Sequence, residues 1–572
     1  MSDSASLSSR MARFNPFKRS KRTEDDEDDQ GEEIDNETVA GGGHSALTAD
    51  VTKHRLRVSD ALRSFLSHEG LLEKDDSEGL IHLLDKPVAV PPQSVTDRSH
   101  PLSEYFISSS HNTYLMAHQL YGASSAAAYE TTLKAGARCI EIDVWDNSDD
   151  KNEPKVTHGF TLVSNIPFRA VCETIRDAVD REASEAPKGS APGPVLISLE
   201  NHCDHDGQLR LVQIMKEVWG DRLVSERLHE NQSSVRLEDL GSKIAVIVEY
   251  HLPDESDDSS SDSSSDSSSD SDDEKKAREE YKAKKKAAPR PVIIPELAEL
   301  GVYGQSVKPR DSSWYLDGKV KNGPEEHHLI NVSETGLSSH LAEHRAEIAR
   351  HNARFLMRVY PKGTRISSKN LSPVPFWAIG AQICALNWQT FGASMQLNDA
   401  LFAGTAGYVL KPALLRGLDS SPPRRKTLKL RVVGATDVPF KGDIDELKPY
   451  VTCTLLHAGS NGELVKLKRK TAPYHARKAL APLLHLVGVE KPPATDPVWD
   501  ETLEWEFVDD ELVFLRMLIK NDASFATNPI LGVAAVRLLY VQPGWRFVRM
   551  LDLKGHETAC SLLVKFEIEE VA

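Results

Sequence analysis

The sequence predicts an α/β protein: a (β/α)8 barrel, split by an acidic linker and followed by an antiparallel β-sandwich. Three observations carry this. Strand-like runs at 105–108, 139–145, 156–160 and 194–202 end in or next to His, Asn or carboxylate side chains, with helix-compatible stretches between most of them. Alternating strand and helix argues a parallel sheet, and function at strand C-terminal ends is where such barrels carry their sites. A Ser-Asp run near the middle separates two halves, neither of which is a complete barrel. After Lys426 the pattern changes to half-buried runs of period two, the signature of a sandwich.

In chain order, residues 1–50 are polar and rich in Ser and charge, a composition expected to stay disordered. Within them RMARFNPFKRSKR (10–22) interleaves cations with Phe14 and Phe17, which suits an anionic lipid surface, while the acidic TEDDEDDQGEE that follows opposes it. In 51–98, Val58, Leu62, Phe65 and Leu66 recur at helical spacing with Gly70 as a stop, and Leu80, Ile81, Leu83 and Leu84 mark a second short helix. The stretch 74–79 between them does not supply the spaced oxygens of a calcium loop. The first barrel half spans 99–253 and ends in a fifth strand-like run, KIAVIVEY. The linker, 254–291, opens with Ser-Asp repeats that bury nothing and continues into a basic, helix-compatible stretch. The second half, 292–416, adds FLMRVY, AQICALN and GYVLKP, bringing the strand count to the eight a closed barrel needs. In 425–572, LKLRVVGA, PYVTCTLLH, LEWEFV, FLRMLIKN and CSLLVKFEIEE are the sandwich strands.

The chemistry concentrates at the barrel strand ends. Glu141 and Asp143 lie two residues apart, so they share one face of a strand whose other face buries Ile140, Ile142 and Val144. His111 and Asn112 end the preceding run, His158 follows in VTHGF, and Glu200, Asn201 and His202 close the next. His111 and His158 together with three carboxylates at strand ends are too costly for a plain core, and a hard cation such as calcium would offset the repulsion. Composition narrows the rest. A net charge of −17 and a pI near 5.7 argue against a nucleic-acid partner. The six cysteines are scattered without metal-ligand spacing, and no apolar run reaches membrane-spanning length, so membrane contact is expected to be peripheral.

SSSHNTYL, ARCIEIDVWD, THGFT and LISLENHC resemble the X region of the eukaryotic phosphoinositide-specific phospholipases C. MRVYPKGTRISSKNLSPVPFWAIGAQICALNWQTFG and GYVLKPALL resemble the Y region, and 425–572 resembles a C2 domain, most clearly in PVWDETLEWEF. The pattern is delta-like and fungal-like, with 51–98 as a degenerate EF-hand remnant and no counterpart expected for a pleckstrin-type domain. The linker takes the place of the family's X–Y linker. Leaving the barrel on its C-terminal face, its acids are expected to be repelled by an anionic membrane.

The resemblance implies cleavage of phosphatidylinositol phosphates, such as the 4,5-bisphosphate, into diacylglycerol and inositol phosphates by a cyclic phosphate route. It implies calcium held by Asn112, Glu141, Asp143 and Glu200, with Glu141 or Asp143 taking the proton of the inositol 2-hydroxyl. His111 would stabilise the phosphorane, and His158 would protonate the leaving group and later activate water. Ser333, Arg358 and Tyr360 would bind the head group. The C2-type loops offer Asp437, Asp443, Asp445 and Asp522, an incomplete calcium set that suits lipid or protein docking. A cytoplasmic monomer at the inner face of the plasma membrane is expected. One departure stands out: the family's usual K-x-K on the fifth run is replaced by Ile247 and Glu249, so discrimination among inositol lipids is expected to be shallow. The alternative is a lipid-binding adaptor of the same fold that turns over little.

Overall fold

A computed structural model of the chain describes residues 56–73, 76–115, 124–157, 165–186, 192–229, 234–249, 292–307, 314–317, 327–362, 369–418, 422–476, 492–522 and 530–571. The basic segment 10–22, the linker 254–291 and His158 fall outside these residues.

The first sheet contains β1 (Tyr105–Ile107), β2 (Cys139–Trp145), β3 (Lys155–Val156), β4 (Ile166–Pro167), β5 (Val195–His202), β6 (Ile244–Glu249), β7 (Gln305–Val307), β8 (His328–Ser333), β9 (Leu356–Tyr360), β10 (Ile383–Cys384) and β11 (Tyr408–Leu410). Of these, β1-β10-β9-β8-β7-β6-β5-β2 are parallel neighbours in that order. The ring closes where Ser109 bridges Cys139 in parallel, with Ser110 N donating to Cys139 O at 2.8 Å and Cys139 N to Ser108 O at 3.0 Å. This is the expected eight-stranded barrel, reached through a partly different set of strands. GYVLKP supplies β11, which runs antiparallel on β1; of the strand expected at 156–160, Val156 lies in β3, which pairs antiparallel with β2, and 158–160 fall outside the described residues. Their barrel places are taken by β7 and β8, so KIAVIVEY is the fourth parallel strand rather than the fifth. Neither QSV nor HLINVS is an unbroken apolar run, and that is why the pattern passed over them.

Strand alternation sorts the barrel into layers. Cys139, Leu196, Ala245, Leu329, Leu356 and Ile383 fill the interior near the strand N-termini. Ile140, Ile142, Val144, Ile197, Leu199, Val246, Val248, Met357 and Val359 point outward and are covered by helices. Helix Phe168–Glu185 buries Phe168, Val171, Cys172, Ile175 and Val179 at helical spacing. Helix His205–Trp219 starts where Asp204 accepts from Gly207 N at 2.9 Å.

The second sheet runs β12 (Arg424–Thr436), β13 (Pro449–Ala458), β14 (Leu464–Lys470), β15 (Val498–Asp509), β16 (Phe514–Asn521), β17 (Ile530–Arg537), β18 (Gly544–Leu551) and β19 (Glu557–Glu570), all antiparallel, in the order β14-β13-β16-β17-β18-β19-β12-β15. The five expected runs lie in β12, β13, β15, β16 and β19. Trp505 Nε1 donates to Leu467 O at 2.8 Å, tying the two edge strands so that the sheet folds over a core that includes Leu430, Val451, Leu515, Val548 and Phe566. The sandwich packs on the barrel through Trp377 against Phe514 (centroids 5.7 Å apart) and through Arg516 Nε donating to Gln396 Oε1 at 2.6 Å.

The two N-terminal helices form as their spacing predicts, at Asp60–His68 and Ser77–Asp85. Gly70, at φ +69°, ends the first. They lie on the sandwich, where Leu62, Leu66, Leu80 and Leu83 pack with Val433, Phe547 and Leu563. Arg57, just ahead of them, donates to Asp437 Oδ1 at 2.6 Å and to Asp496 at 2.6 and 2.8 Å, bridging two sandwich loops.

Candidate active site

Above the apolar layer the inward positions turn polar. The register aligns Glu141 with Ser198 and Ile247, and Asn331 with Arg358. One step nearer the strand C-termini, Asp143 aligns with Glu200, Ser333 aligns with Tyr360, and Glu249 follows on β6. At the rim, Trp145 stacks on His202 with centroids 4.0 Å apart and planes 15° apart. The same period-two alternation that builds the core thus turns carboxylates into the barrel mouth.

Glu141, Asp143 and Glu200 each offer an oxygen, all within 4.8 Å of one another, and no other such group of three occurs among the described residues. Glu141 is 1% exposed. Its Oε1 accepts from Arg358 Nη2 at 2.5 Å and its Oε2 from Asn112 N at 2.6 Å. Asn112 is buried with φ +46°, a left-handed conformation that Asn tolerates better than most residues. That conformation turns its amide toward the carboxylate, a local strain on the order of 1–3 kcal/mol that surrounding contacts hold in place. The Tyr114 hydroxyl lies 2.7 Å from Asp143 Oδ2 and 3.1 Å from Asn112 Oδ1, which ties these two oxygens to one donor. Burial first, then the charges of Glu141 and Glu249, hold the Glu200 carboxyl above the ordinary range. Arg358 is 1% exposed, and its Nη1 donates to Asn331 Oδ1 at 3.2 Å. Burial pulls its pKa down, but Glu141 and Glu200 outweigh burial and hold the guanidinium above its ordinary value. Three close carboxylates with one guanidinium among them form a donor set that fits a hard, oxygen-seeking dication.

His111 sits at the same mouth. Its Nδ1 is 2.7 Å from Asn387 Oδ1, and Asn387 Nδ2 donates to Lys369 O at 3.2 Å. With that amide orientation, Nδ1 carries the proton and Nε2 is the acceptor. Tyr360 lies beside Arg358, whose Cζ is 5.8 Å from the ring centroid. Ser333 caps helix Glu334–Asn352 by accepting from Gly336 N at 3.2 Å. The structure thus brings Asn112, Glu141, Asp143, Glu200, His111 and Arg358 to one end of the barrel, with Ser333 and Tyr360 on the adjacent wall; His158 lies outside the described residues. Tyr114, Asn331 and Asn387 escaped the sequence reading. The usable signal for Asn387 was a polar residue closing the apolar run AQICAL.

Models of known families match three parts of the chain: the phosphatidylinositol-specific phospholipase C X domain at 98–250, the Y domain of the same enzymes at 297–414, and the C2 domain at 489–551. The chain is 32% identical over 485 residues to the human 1-phosphatidylinositol 4,5-bisphosphate phosphodiesterase delta-3, covering 83% of this chain and 57% of that protein. It is 30% identical over 478 residues to the human 1-phosphatidylinositol 4,5-bisphosphate phosphodiesterase zeta-1, covering 80% of this chain and 72% of that protein. The chain therefore spans little more than half of the delta-3 relative. Among solved structures, L. pealei PLC21 superposes with a TM-score of 0.67 at 24% identity, over 93% of this chain and 65% of that one, a likeness of fold.

Proposed function

The chain belongs to the phosphatidylinositol-specific phospholipase C family, and on that footing we propose that it hydrolyses inositol phospholipids to diacylglycerol and inositol phosphates, with calcium as its metal. The observation that carries this reading is the Glu141–Asp143–Glu200 group, two of its carboxylates buried and Glu200 half-buried, at a barrel mouth that also holds an oriented His111. Asn112, Glu141, Asp143 and Glu200 would hold the ion. When bound it would supply a positive centre for the inositol 2-hydroxyl and a phosphate oxygen.

The chain's own residues do the rest. Glu141 or Asp143 accepts the 2-hydroxyl proton as that oxygen attacks phosphorus. His111, fixed by Asn387, faces the mouth and stabilises charge developing on the phosphoryl oxygens. His158 has its role from the family likeness alone: it protonates the diacylglycerol oxygen and then activates the water that opens the cyclic phosphate. Tyr360 offers a flat face to the ring, and Ser333 and Arg358 line the same wall. No helix among the described residues is long and apolar enough to cross a membrane. On the family likeness we place the protein peripherally, at the cytoplasmic face of an anionic membrane and as a monomer, with the sandwich as a docking module.

The test is release of labelled inositol phosphates from mixed vesicles at buffered calcium. Calcium-dependent release that Glu141→Gln abolishes supports the reading. Vesicle binding without release at any calcium level would instead favour a non-catalytic lipid-binding role.

A further inference from the structure

The wall of the pocket formed by β5, β6 and β8 carries a carboxylate that the metal group does not include. Glu249 follows Ile247 and Val248 on β6, directly beside Glu200 on β5, and Ser198 pairs with Ile247 in the layer below. Glu249 Oε1 accepts from Asn331 Nδ2 at 3.3 Å, and the Oδ1 of the same Asn331 accepts from Arg358 Nη1 at 3.2 Å. Asn331 therefore spaces Glu249 from the guanidinium, which is spent on Glu141 at 2.5 Å on its other side. Among the described residues of the two inward layers, Glu141, Asp143, Glu200 and Glu249 are carboxylates, and Arg358 lies among them. Ile247, 4% exposed, fills the neighbouring inward position with hydrocarbon.

A carboxylate accepts hydrogen bonds and donates none. It can take a hydroxyl of an inositol ring in a charge-assisted bond, and it repels a phosphate at the same place. We propose that Glu249 is a specificity-determining residue: it selects inositol lipids whose ring bears hydroxyls where it faces the β6–β8 wall, and it disfavours rings carrying adjacent phosphates there. The substrate class is then phosphatidylinositol and its monophosphates ahead of the bisphosphate. This rests on the phospholipase reading above.

Initial rates on vesicles of phosphatidylinositol, its 4-phosphate and its 4,5-bisphosphate test it, with total surface charge held constant by phosphatidylserine and calcium saturating. The wild-type chain should turn over phosphatidylinositol fastest, and Glu249→Gln, which keeps the shape and drops the charge, should move the rate ratio toward the bisphosphate roughly tenfold. Glu249→Lys should move it further. Competition in the wild-type chain by soluble inositol 1-phosphate against inositol 1,4,5-trisphosphate gives the same answer without a variant, and the monophosphate should compete better. A wild-type preference for the bisphosphate, or a ratio unmoved in a folded Glu249→Gln protein, overturns the assignment of Glu249 while leaving the phospholipase reading intact. Absence of turnover on all three lipids overturns both.

Discussion

Replacing Arg358 by Met tests whether this guanidinium acts as the resident counter-ion of the acidic cluster. Both partners of the Arg358–Glu141 pair are sealed from water, with side-chain exposures of 2% and 1% and an Nη2–Oε1 distance of 2.5 Å. Met retains most of the volume and hydrocarbon, so what is lost is the charge. Glu141 keeps the Asn112 amide but loses its cation, and Glu200, 4.0 Å from Nη1, loses attraction as well. Breaking a buried pair from one side costs about 3–5 kcal/mol, because it strands the other charge. That loss should appear in full in chelator, as a lowered urea midpoint. Calcium offers the carboxylates a replacement counter-charge. In the wild-type chain the ion must compete with Arg358 for Glu141; in Arg358→Met it need not. Titration calorimetry should therefore show tighter calcium binding in the variant, by on the order of tenfold or ~1.4 kcal/mol. Calcium at saturation should close a corresponding part of the stability gap. Equal losses in chelator and in calcium, or weaker calcium binding by the variant, would refute this account of the pair.

Other outcomes follow from single contacts. His111→Ala should lower turnover by about 10²-fold or more with vesicle binding retained, and Asn387→Ala should lower it less, by releasing the His111 ring from its tautomer, as read by the pH dependence of kcat. His351, whose Nε2 lies 3.1 Å from His328 Nε2, is held by burial at a pKa of about 4, below the ordinary 6.5. The unfolded chain therefore takes up the proton first. Stability is complete above about pH 6.5 and falls by roughly 3 kcal/mol as pH drops toward 4, a loss that urea midpoints should show largely removed in His351→Gln. Arg57 is 49% exposed, so Arg57→Ala should cost only ~1 kcal/mol or less. The cost should fade at high salt, and limited proteolysis should show the helices at 60–85 released sooner at low salt.

The sequence made one part of the site easy to read. A strand that buries Ile140, Ile142 and Val144 on one side must turn Glu141 and Asp143 to the other, and LISLENH repeats the pattern for Glu200. The (β/α)8 architecture was likewise visible, but its membership was not. In β8 the inward residues Leu329, Asn331 and Ser333 pass from apolar to polar within one strand, which breaks the alternation that would have marked it. β11 carries the apolar YVL and was easy to mistake for a barrel member. Contacts between distant positions leave no local trace. Arg358 and Glu141 are 217 residues apart, and nothing in MRVY shows that its Arg is committed to a carboxylate rather than open to a ring phosphate. Asn331 and Asn387 act by orienting Glu249, Arg358 and His111, so they became recognisable only once those partners were placed.

The layering also shows why specificity belongs on β6. Each long inward strand begins apolar and becomes polar at a fixed height: Cys139 then Glu141 on β2, Leu196 then Ser198 on β5, Leu329 then Asn331 on β8, Leu356 then Arg358 on β9. Strand β6 breaks step. Its Ile247 stays apolar at the height where its neighbours are polar, and its charge arrives one step later as Glu249. Strands β2 and β5 hold the carboxylates proposed as cation ligands, Glu141, Asp143 and Glu200. Asn331 Nδ2 links Glu249 to β8, whereas Glu141 is held by Asn112 N and Arg358, and His111 by Asn387. Substitution on β6 can alter which ring substituents the mouth accepts, while Glu249 also acts through its charge on the Glu200 carboxyl, so its replacement is best read at saturating calcium; Ile247 with Glu249 presents a hydrocarbon surface and an acceptor on that wall.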